Sequence, residues 1–327
     1  MILVTGAAGF IGSNLVHRLN ALGRTDLILV DDLTDGRKCA NLSGARFDTI
    51  LPPRNLFEFL ADHGDENHNN TVIVHLGANT NTRETDGAKL WQENFEYTKE
   101  LLTFAADMRA RVVYASSAAV YGTPRALNPS AFAEEPENEN PTTAYGFSKL
   151  MVDNYVRKNH ANDPVIGLRF FNVYGPRERH KDDMASFIHK VLWECYSRSK
   201  NGRAVDNYEI KLFEGSRDIL RDFVFVDDVI EVICWAMSPG LAMPSGIYNV
   251  GNCQARSFYD VASALYDFVT KKGLRAVIAD HKGPPPLTGY QRYTIANLDK
   301  LRSTNCRAKS TSLSSGIEAI WNSFQYV

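Results

Sequence analysis

The 327-residue chain carries 36 Lys and Arg against 38 Asp and Glu, a formal charge of −2, with 44% apolar and 23% charged residues. That balance suits a globular protein with a sizeable core and removes the electrostatic case for a nucleic-acid or anionic-membrane partner. Five scattered cysteines without a Cys-x-x-Cys pair exclude a disulfide framework or zinc site, and no apolar run approaches the ~20 residues of a membrane span, so a cytoplasmic protein is expected, with Met1 opening directly on a strand.

The first apolar run, residues 2–5, leads into Gly6-x-x-Gly9-x-x-Gly12 and then an amphipathic helix over 13–21. A dinucleotide needs this order: Gly6 for the tight turn, Gly9 for backbone approach to the pyrophosphate, Gly12 for helix–strand packing. The next run, 27–31, ends in Asp31-Asp32, about twenty residues past the last glycine, where an acid commonly accepts from the adenosine ribose. Asp31 in that place favours a free 2′-hydroxyl. Arg37 and Lys38 follow in the same loop, however, and offer charge to a 2′-phosphate, so the choice between NAD and NADP stays open at this point.

Further apolar runs at 71–76, 112–116 and 165–170 alternate with helical stretches at 91–108 and 143–159, the rhythm of an α/β protein with a doubly wound parallel (Rossmann) sheet. The polar stretch 62–70 reads as a solvated loop rather than a metal site built on His63 and His68, and no metal is expected. Residues 124–141 read as a second surface excursion. After residue 175 the pattern changes: helices are expected at 184–199, 227–237 and 257–271, a strand at 210–213, and a last strand and helix beyond the break at 283–286. The chain thus divides into a cofactor-binding part, 1–175, and a smaller C-terminal α/β substrate lobe, 176–327, interleaved with the main sheet through 222–237.

Two places carry candidate chemistry. Ser116-Ser117 end the strand at 112–116, the edge where doubly wound sheets bind ligands, and a hydroxyl there can hold a substrate oxygen. Tyr145-x-x-x-Lys149 puts a phenol and an ammonium on one helix face, the ammonium expected to lower the phenol's pKa from near 10. The run 175–181, with two Arg, His180 and Lys181, suits either a diphosphate or a solvated charge cluster.

The glycine triad, Ser116-Ser117-Ala118-Ala119-Val120-Tyr121-Gly122, Tyr145-x-x-x-Lys149 and Arg169-Phe170-Phe171-Asn172-Val173-Tyr174-Gly175-Pro176 together resemble the extended short-chain dehydrogenase/reductase superfamily. Within it, Val30-Asp31-Asp32-Leu33-Thr34-Asp35-Gly36, His180-Lys181, and Phe213-Glu214-Gly215-Ser216 leading to Arg221 look most like the heptose 6-epimerase family of nucleotide-sugar enzymes. The resemblance implies an isomerase that inverts C6 of an ADP-heptose for the lipopolysaccharide core, with NADP (or NAD) retained through the cycle, in a homo-oligomer, pentameric in some members. It implies Tyr145 and Lys181 as the two acid/base groups, Ser117 on the reacting oxygen and Lys149 on the nicotinamide ribose. Cofactor contacts follow from Gly6, Gly9, Phe10, Ile11, Gly12, Asp31, Asp32, Lys38, Leu76, Gly77, Ala78, Asn94, Lys149, Val173 and Lys181. Substrate contacts follow from Ser117, Asn172, Phe213, Glu214, Gly215, Ser216, Arg221 and Tyr290.

The chain departs from that family at Leu76, Asn79-Thr80, Gly251-Asn252-Cys253 and, where Gly-Ser is common, Asp182-Asp183. A UDP- or dTDP-sugar 4-epimerase or 4,6-dehydratase is the rival within the superfamily. Ala118-Ala119, in place of the Asp-Glu of dehydratases, counts against the second. A non-catalytic nucleotide-binding regulator is the rival of another class, opposed by the intact Ser117, Tyr145 and Lys149.

Overall fold

Short runs of Val, Ile and Leu buried on both faces become parallel strands, and the amphipathic stretches between them become the covering helices. The structure, a computed structural model, describes residues 1–63, 70–200, 208–238, 243–280 and 290–326. In chain order the first half runs β1 (Ile2–Thr5), α1 (Phe10–Ala21), β2 (Leu27–Val30), β3 (Thr49–Leu51), α2 (Leu56–His63), β4 (Val72–His75), α3 (Gly87–Leu90), α4 (Tyr97–Asp107), β5 (Arg111–Ser117), α5 (Ala144–Asn159) and β6 (Val165–Phe170). The second half runs β7 (Asn172–Tyr174), α6 (Phe187–Lys200), β8 (Tyr208–Leu212), β9 (Leu220–Phe225), α7 (Val226–Met237), β10 (Gly246–Val250), β11 (Ala255–Ser257), α8 (Phe258–Lys271), β12 (Ala276–Asp280), α9 (Asp299–Ser303) and α10 (Leu313–Ser323).

Among the described residues, seven strands form one sheet in the order β10-β6-β5-β4-β1-β2-β3, every neighbouring pair parallel. The doubly wound fold expected from the sequence is therefore present. Its order reverses between β1 and β4, which are paired in register from Ile2↔Val72 to Thr5↔His75. Ligands of such sheets bind outside the carboxyl ends at that reversal. Two small sheets, β11-β9-β7 and β12-β8, stand beside the main one.

Several elements differ from expectation for identifiable reasons. The helix expected over 91–108 is interrupted by a π-helical turn, Trp91–Glu96, which brings the polar Asn94 to 1% exposure between α3 and α4. The helix expected from 184 starts only at Phe187, because residues 179–184 form a tight 3₁₀ turn. The excursion at 124–141 is not wholly surface. Phe132 and Glu134 are buried, and Glu134 accepts the Asn249 N–H at 2.7 Å while the Asn249 amide donates to the Phe132 carbonyl at 2.6 Å. Those bonds tie the excursion to β10, a strand in the main sheet that lies beyond residue 175. The strand expected after 283–286 is reduced to a bridge between Tyr293 and Leu220. Most of the stretch 62–70, His68 included, and the run 283–286 lie outside the described residues. Among the described residues no cluster of His, Cys, Asp and Glu could hold a metal ion, and no helix is long and apolar enough to cross a membrane.

Candidate active site

The turn after β1 is shaped by close backbone approach. Gly6 has φ +65°, and a Cβ on it would lie 2.7 Å from the Gly77 nitrogen; a Cβ on Gly12 would run into the Gly6 carbonyl oxygen. No side chain fits at either place, so the N-terminus of α1 is seated directly on the turn. Phe10 and Ile11 begin that helix. Leu76, Gly77 and Ala78 follow β4 on the opposite wall, with the Gly77 N–H donating to Thr5 Oγ1 at 3.0 Å.

A polar chain missed from sequence fixes this wall. Thr5 Oγ1, already accepting from Gly77, donates to His75 Nδ1 at 2.7 Å. His75 Nε2 then donates to Thr98 Oγ1 at 2.9 Å, and Thr98 donates to the Asn94 carbonyl at 2.6 Å. The tautomer follows from that order of donors. Burial pushes the His75 imidazole down to about 3, so the chain runs through a neutral ring. The Asn94 carboxamide donates to Asn79 O and Ser148 Oγ and accepts the Asn79 N–H. These bonds brace the turn after β4 against α5.

Asp31, 6% exposed, stands just past β2. Its Oδ2 accepts the Ala8 N–H at 2.7 Å and its Oδ1 accepts from Lys38 Nζ at 3.0 Å. Asp32 is different: it is exposed, and its carboxylate accepts the Thr34 N–H at 2.9 Å. It shapes the loop at the rim of the cleft.

Ser117 ends β5, Tyr145 and Lys149 sit one turn apart on α5, and the fold brings the three together. The Tyr145 phenol lies close enough to Ser117 for that hydroxyl to favour its ionised form, while Lys149 Nζ donates to the Ala115 carbonyl at 3.0 Å. Ser117 Oγ also accepts the Ala119 N–H at 3.1 Å. One expectation is corrected here. Burial pushes the Tyr145 phenol up, with Ser117 working against it, and Lys149 does not enter. Lys149 itself is pushed down to about 8 by burial, with Asp153 pulling upward. Its ammonium is turned to the strand carbonyl and not to the phenol.

Lys181 lies elsewhere, over the start of α1. Its Nζ donates to Glu178 Oε2 at 3.0 Å and stands 4.9 Å from the centre of the Phe10 ring. No hydrogen bond or ion pair joins it to Ser117, Tyr145 or Lys149 among the described residues. Glu178, read from sequence only as part of a charge run, is fully buried and accepts four bonds. Burial works to raise its carboxyl, yet Lys181, His189 and Ser186 together hold it below the ordinary range.

The residues expected to hold substrate fall into two groups. Asn172 and Val173 form β7 and pair with Phe223 and Val224 of β9. Phe213 packs against Phe258 at 5.0 Å, and Glu214-Gly215-Ser216 make a turn in which Gly215 has φ +77°. Arg221, 3% exposed, holds its guanidinium 4.6 Å from the centre of the half-exposed Tyr290 ring. Beside it Asp222 accepts backbone N–H groups of Asn252 (2.6 Å) and Ala296 (2.8 Å), while burial pushes its carboxyl up to about 6. Gln291, next to Tyr290, donates to the Ala118 and Gly122 carbonyls at 3.0 Å each, roping this segment to the loop after Ser117.

The sequence matches the NAD dependent epimerase/dehydratase family over residues 2–251. It is 39% identical to an ADP-L-glycero-D-manno-heptose-6-epimerase of Alkalilimnicola ehrlichii, over 97% of this chain and 95% of that protein. The fold is similar to the crystal structure of the Helicobacter pylori ADP-L-glycero-D-manno-heptose-6-epimerase (TM-score 0.78, 30% identity, 100% of this chain and 96% of that one). It is also similar to a Bacillus cereus UDP-glucuronic acid 4-epimerase in complex with UDP-glucuronic acid and NAD (TM-score 0.76, 26% identity, 99% of each chain). With the glycine-lined turn, the Ser117–Tyr145–Lys149 cluster and these relationships in agreement, the chain belongs to the NAD dependent epimerase/dehydratase family.

Proposed function

We propose that this enzyme converts ADP-D-glycero-D-manno-heptose to its L-glycero epimer by transient oxidation at C6, in the cytoplasm, supplying heptose for the lipopolysaccharide core. The observation that carries the reading is Ser117 at the carboxyl end of β5 with the buried Tyr145 phenol of α5 beside it, in a chain 39% identical to a protein of that name over nearly its whole length. A nicotinamide dinucleotide fits the residues present: the cradle at Gly6 and Gly12 admits backbone and no side chain, and the buried Asp31 carboxylate stands at the end of β2. When bound, the nicotinamide supplies reversible hydride exchange at C6.

Ser117 holds the C6 oxygen and Tyr145, as phenolate, takes its proton, so that loss of the C6 hydride to a bound nicotinamide would leave a ketone at C6. Burial opposes that phenolate and Ser117 favours it; with Lys149 turned to the Ala115 carbonyl, further positive charge would come from the oxidised ring when bound. Turning of the sugar end would offer the other face of C6 to the hydride that the bound cofactor supplies. The displaced oxygen then takes its proton from the Lys181 ammonium, which Glu178 holds in place. Asn172, the turn at Phe213–Ser216, Arg221 and Tyr290 keep the nucleotide part still while the heptose end turns. Residues 1–175 carry most of the cofactor contacts and 176–327 much of the substrate surface, with Ser117, Tyr145 and Asn172 of the first part reaching the substrate and β10 of the second completing the main sheet, in a homo-oligomer.

For the dinucleotide, the charge arrangement favours NAD, against the NADP implied by the sequence resemblance. Lys38 is paired with Asp31, and Arg37 with Asp35 and Asp182, so both cations of the loop are engaged.

The test is an NMR assay following C6 configuration in purified protein given ADP-D-glycero-D-manno-heptose and no added cofactor. Conversion is expected, and Tyr145→Phe should abolish it while nucleotide binding persists. No conversion, even with NAD or NADP supplied, would overturn the heptose reading and turn the search to UDP-sugars.

A further inference from the structure

The loop carrying Lys181 and the loop after β2 meet in a contact that the proposed reaction does not use. Arg37 Nη1 lies 2.7 Å from both carboxylate oxygens of Asp182, while its Nε and Nη2 grip Asp35. A second bond joins the same two segments, Asn41 Nδ2 to His180 Nδ1 at 3.0 Å, and Asn41 also donates to the Ala8 carbonyl in the glycine turn at 2.9 Å. The two segments therefore close a wall around Asp31. Asp182 reaches this contact from φ 46°, ψ −120°, a conformation that residues with a Cβ rarely adopt. Its neighbours in the 3₁₀ turn are helical, so the carboxylate is presented at a cost in backbone strain.

Charge gives the contact its meaning. Asp31, Asp32, Asp35 and Asp182 face Arg37 and Lys38, with Arg54 beside Asp32. A 2′-phosphate would bring up to two further negative charges to a place where carboxylates already outnumber the cations. Arg37 is the one loop cation not anchored on Asp31 itself, and it is the group whose planar fork suits a phosphate. Asp182 keeps that fork turned away.

We propose that Asp182 is a cofactor-specificity residue: by pinning Arg37 across the mouth of the ribose site it selects NAD over NADP. This rests on the assignment of a nicotinamide dinucleotide to the cleft. Removing the carboxylate frees Arg37 Nη1, the side not held by Asp35, to meet a 2′-phosphate and removes one repelling charge. Asp182→Asn removes the charge alone, and Asp182→Gly also relieves the strain.

The experiment measures NAD+ and NADP+ dissociation constants by calorimetry on wild type and both variants after nucleotide exchange, and identifies the nucleotide released from each protein as purified. A charge-assisted contact of this kind is expected to improve NADP+ affinity relative to NAD+ about tenfold in both variants, and Arg37→Ala in the Asp182→Asn background should erase the gain. An unchanged ratio, or equal shifts for both dinucleotides, would overturn the role of Asp182. Wild type binding NADP+ more tightly would overturn the NAD assignment, and the variants' ratio would still judge Asp182 by itself.

Discussion

Replacing Glu178 by Gln should weaken the protein far more than an isosteric change at a surface charge. The carboxylate is fully buried and meets four donors: the Gly175 N–H (3.2 Å) and Ser186 hydroxyl (2.7 Å) at Oε1, the Ser186 N–H (2.8 Å) and Lys181 ammonium (3.0 Å) at Oε2. A carboxamide keeps one accepting oxygen and turns an NH₂ toward the other two donors. The Ser186 hydroxyl can rotate and accept; a backbone N–H cannot. Whichever way the amide sits, one backbone donor is orphaned, at about 1–3 kcal/mol, and if the retained oxygen faces Gly175 a charge-assisted bond worth about 1.5–3 kcal/mol goes too. The amide takes the cheaper orientation, its oxygen on the Ser186 N–H and Lys181, so the cost is the orphaned Gly175 N–H, about 1–3 kcal/mol, a sizeable share of the ~5–15 kcal/mol that holds a domain folded. Urea unfolding of wild type and variant, compared at equal slope, reads it directly. A loss below about 1 kcal/mol would refute the account and return the Glu178–Lys181 pair to the surface-charge reading first given to this segment.

If Lys181 is the second acid/base group, Lys181→Met should abolish turnover at saturating substrate; a raised KM with normal kcat would instead mark it as a diphosphate contact. Asp222 titrates near 6 when folded and near 3.9 when unfolded, so the folded state holds the extra proton between those values and stability falls as pH rises from about 4 to 6. Asp222→Asn should remove that slope, worth about 3 kcal/mol, and parallel pH–stability curves would refute it. Lys149, pushed down to about 8 in the fold against about 10.4 unfolded, costs stability at neutral pH and returns it as pH climbs from 8 to 10. Lys149→Met should therefore be inactive yet about 1–2 kcal/mol more stable at pH 7, a gap that closes by pH 10; a less stable variant at pH 7 would sink the argument.

What was legible in the sequence was what local chain geometry enforces. Gly6 and Gly12 stand where a Cβ collides with backbone, so the spacing alone announces the turn. Tyr145 and Lys149 share a helix face by the period of the helix. Long-range partners were not legible. Arg37 and Asp182 are 145 positions apart, and only the meeting of two loops makes them a pair. Glu178 reads as one charge among many until burial singles it out. β10 is five residues with no distinguishing period, and it joins the sheet because β6 would otherwise present a bare edge. The direction of the Tyr145 shift was missed because spacing reports where Lys149 sits on the helix but not where its ammonium turns; the Ala115 carbonyl decides that.

The same burial that raises Tyr145 and depresses Lys149 is what keeps them in place. Beneath them Asp153, one further turn along α5 and fully buried, accepts from the Tyr114 hydroxyl (2.9 Å) and Ser116 hydroxyl (3.0 Å) of β5 and from Arg169 Nε (2.9 Å) of β6. Arg169 in turn reaches Glu139, which also holds Arg157 of α5, and stands 4.9 Å from the centre of the Tyr121 ring. One carboxylate thus ties two strands and α5 together, and those bonds fix the end of β5, with Ser117, against the helix that carries Tyr145. The substrate side is built on the opposite principle. Tyr290, the Gly215 turn and Gln291 belong to short segments beside the buried Arg221 of β9, and in the proposed reaction they would hold a ligand whose reacting end must turn over. A site that oxidises and reduces the same carbon from two faces needs both parts: fixed groups for the hydride and the first proton, and a holding surface that leaves the sugar free to rotate.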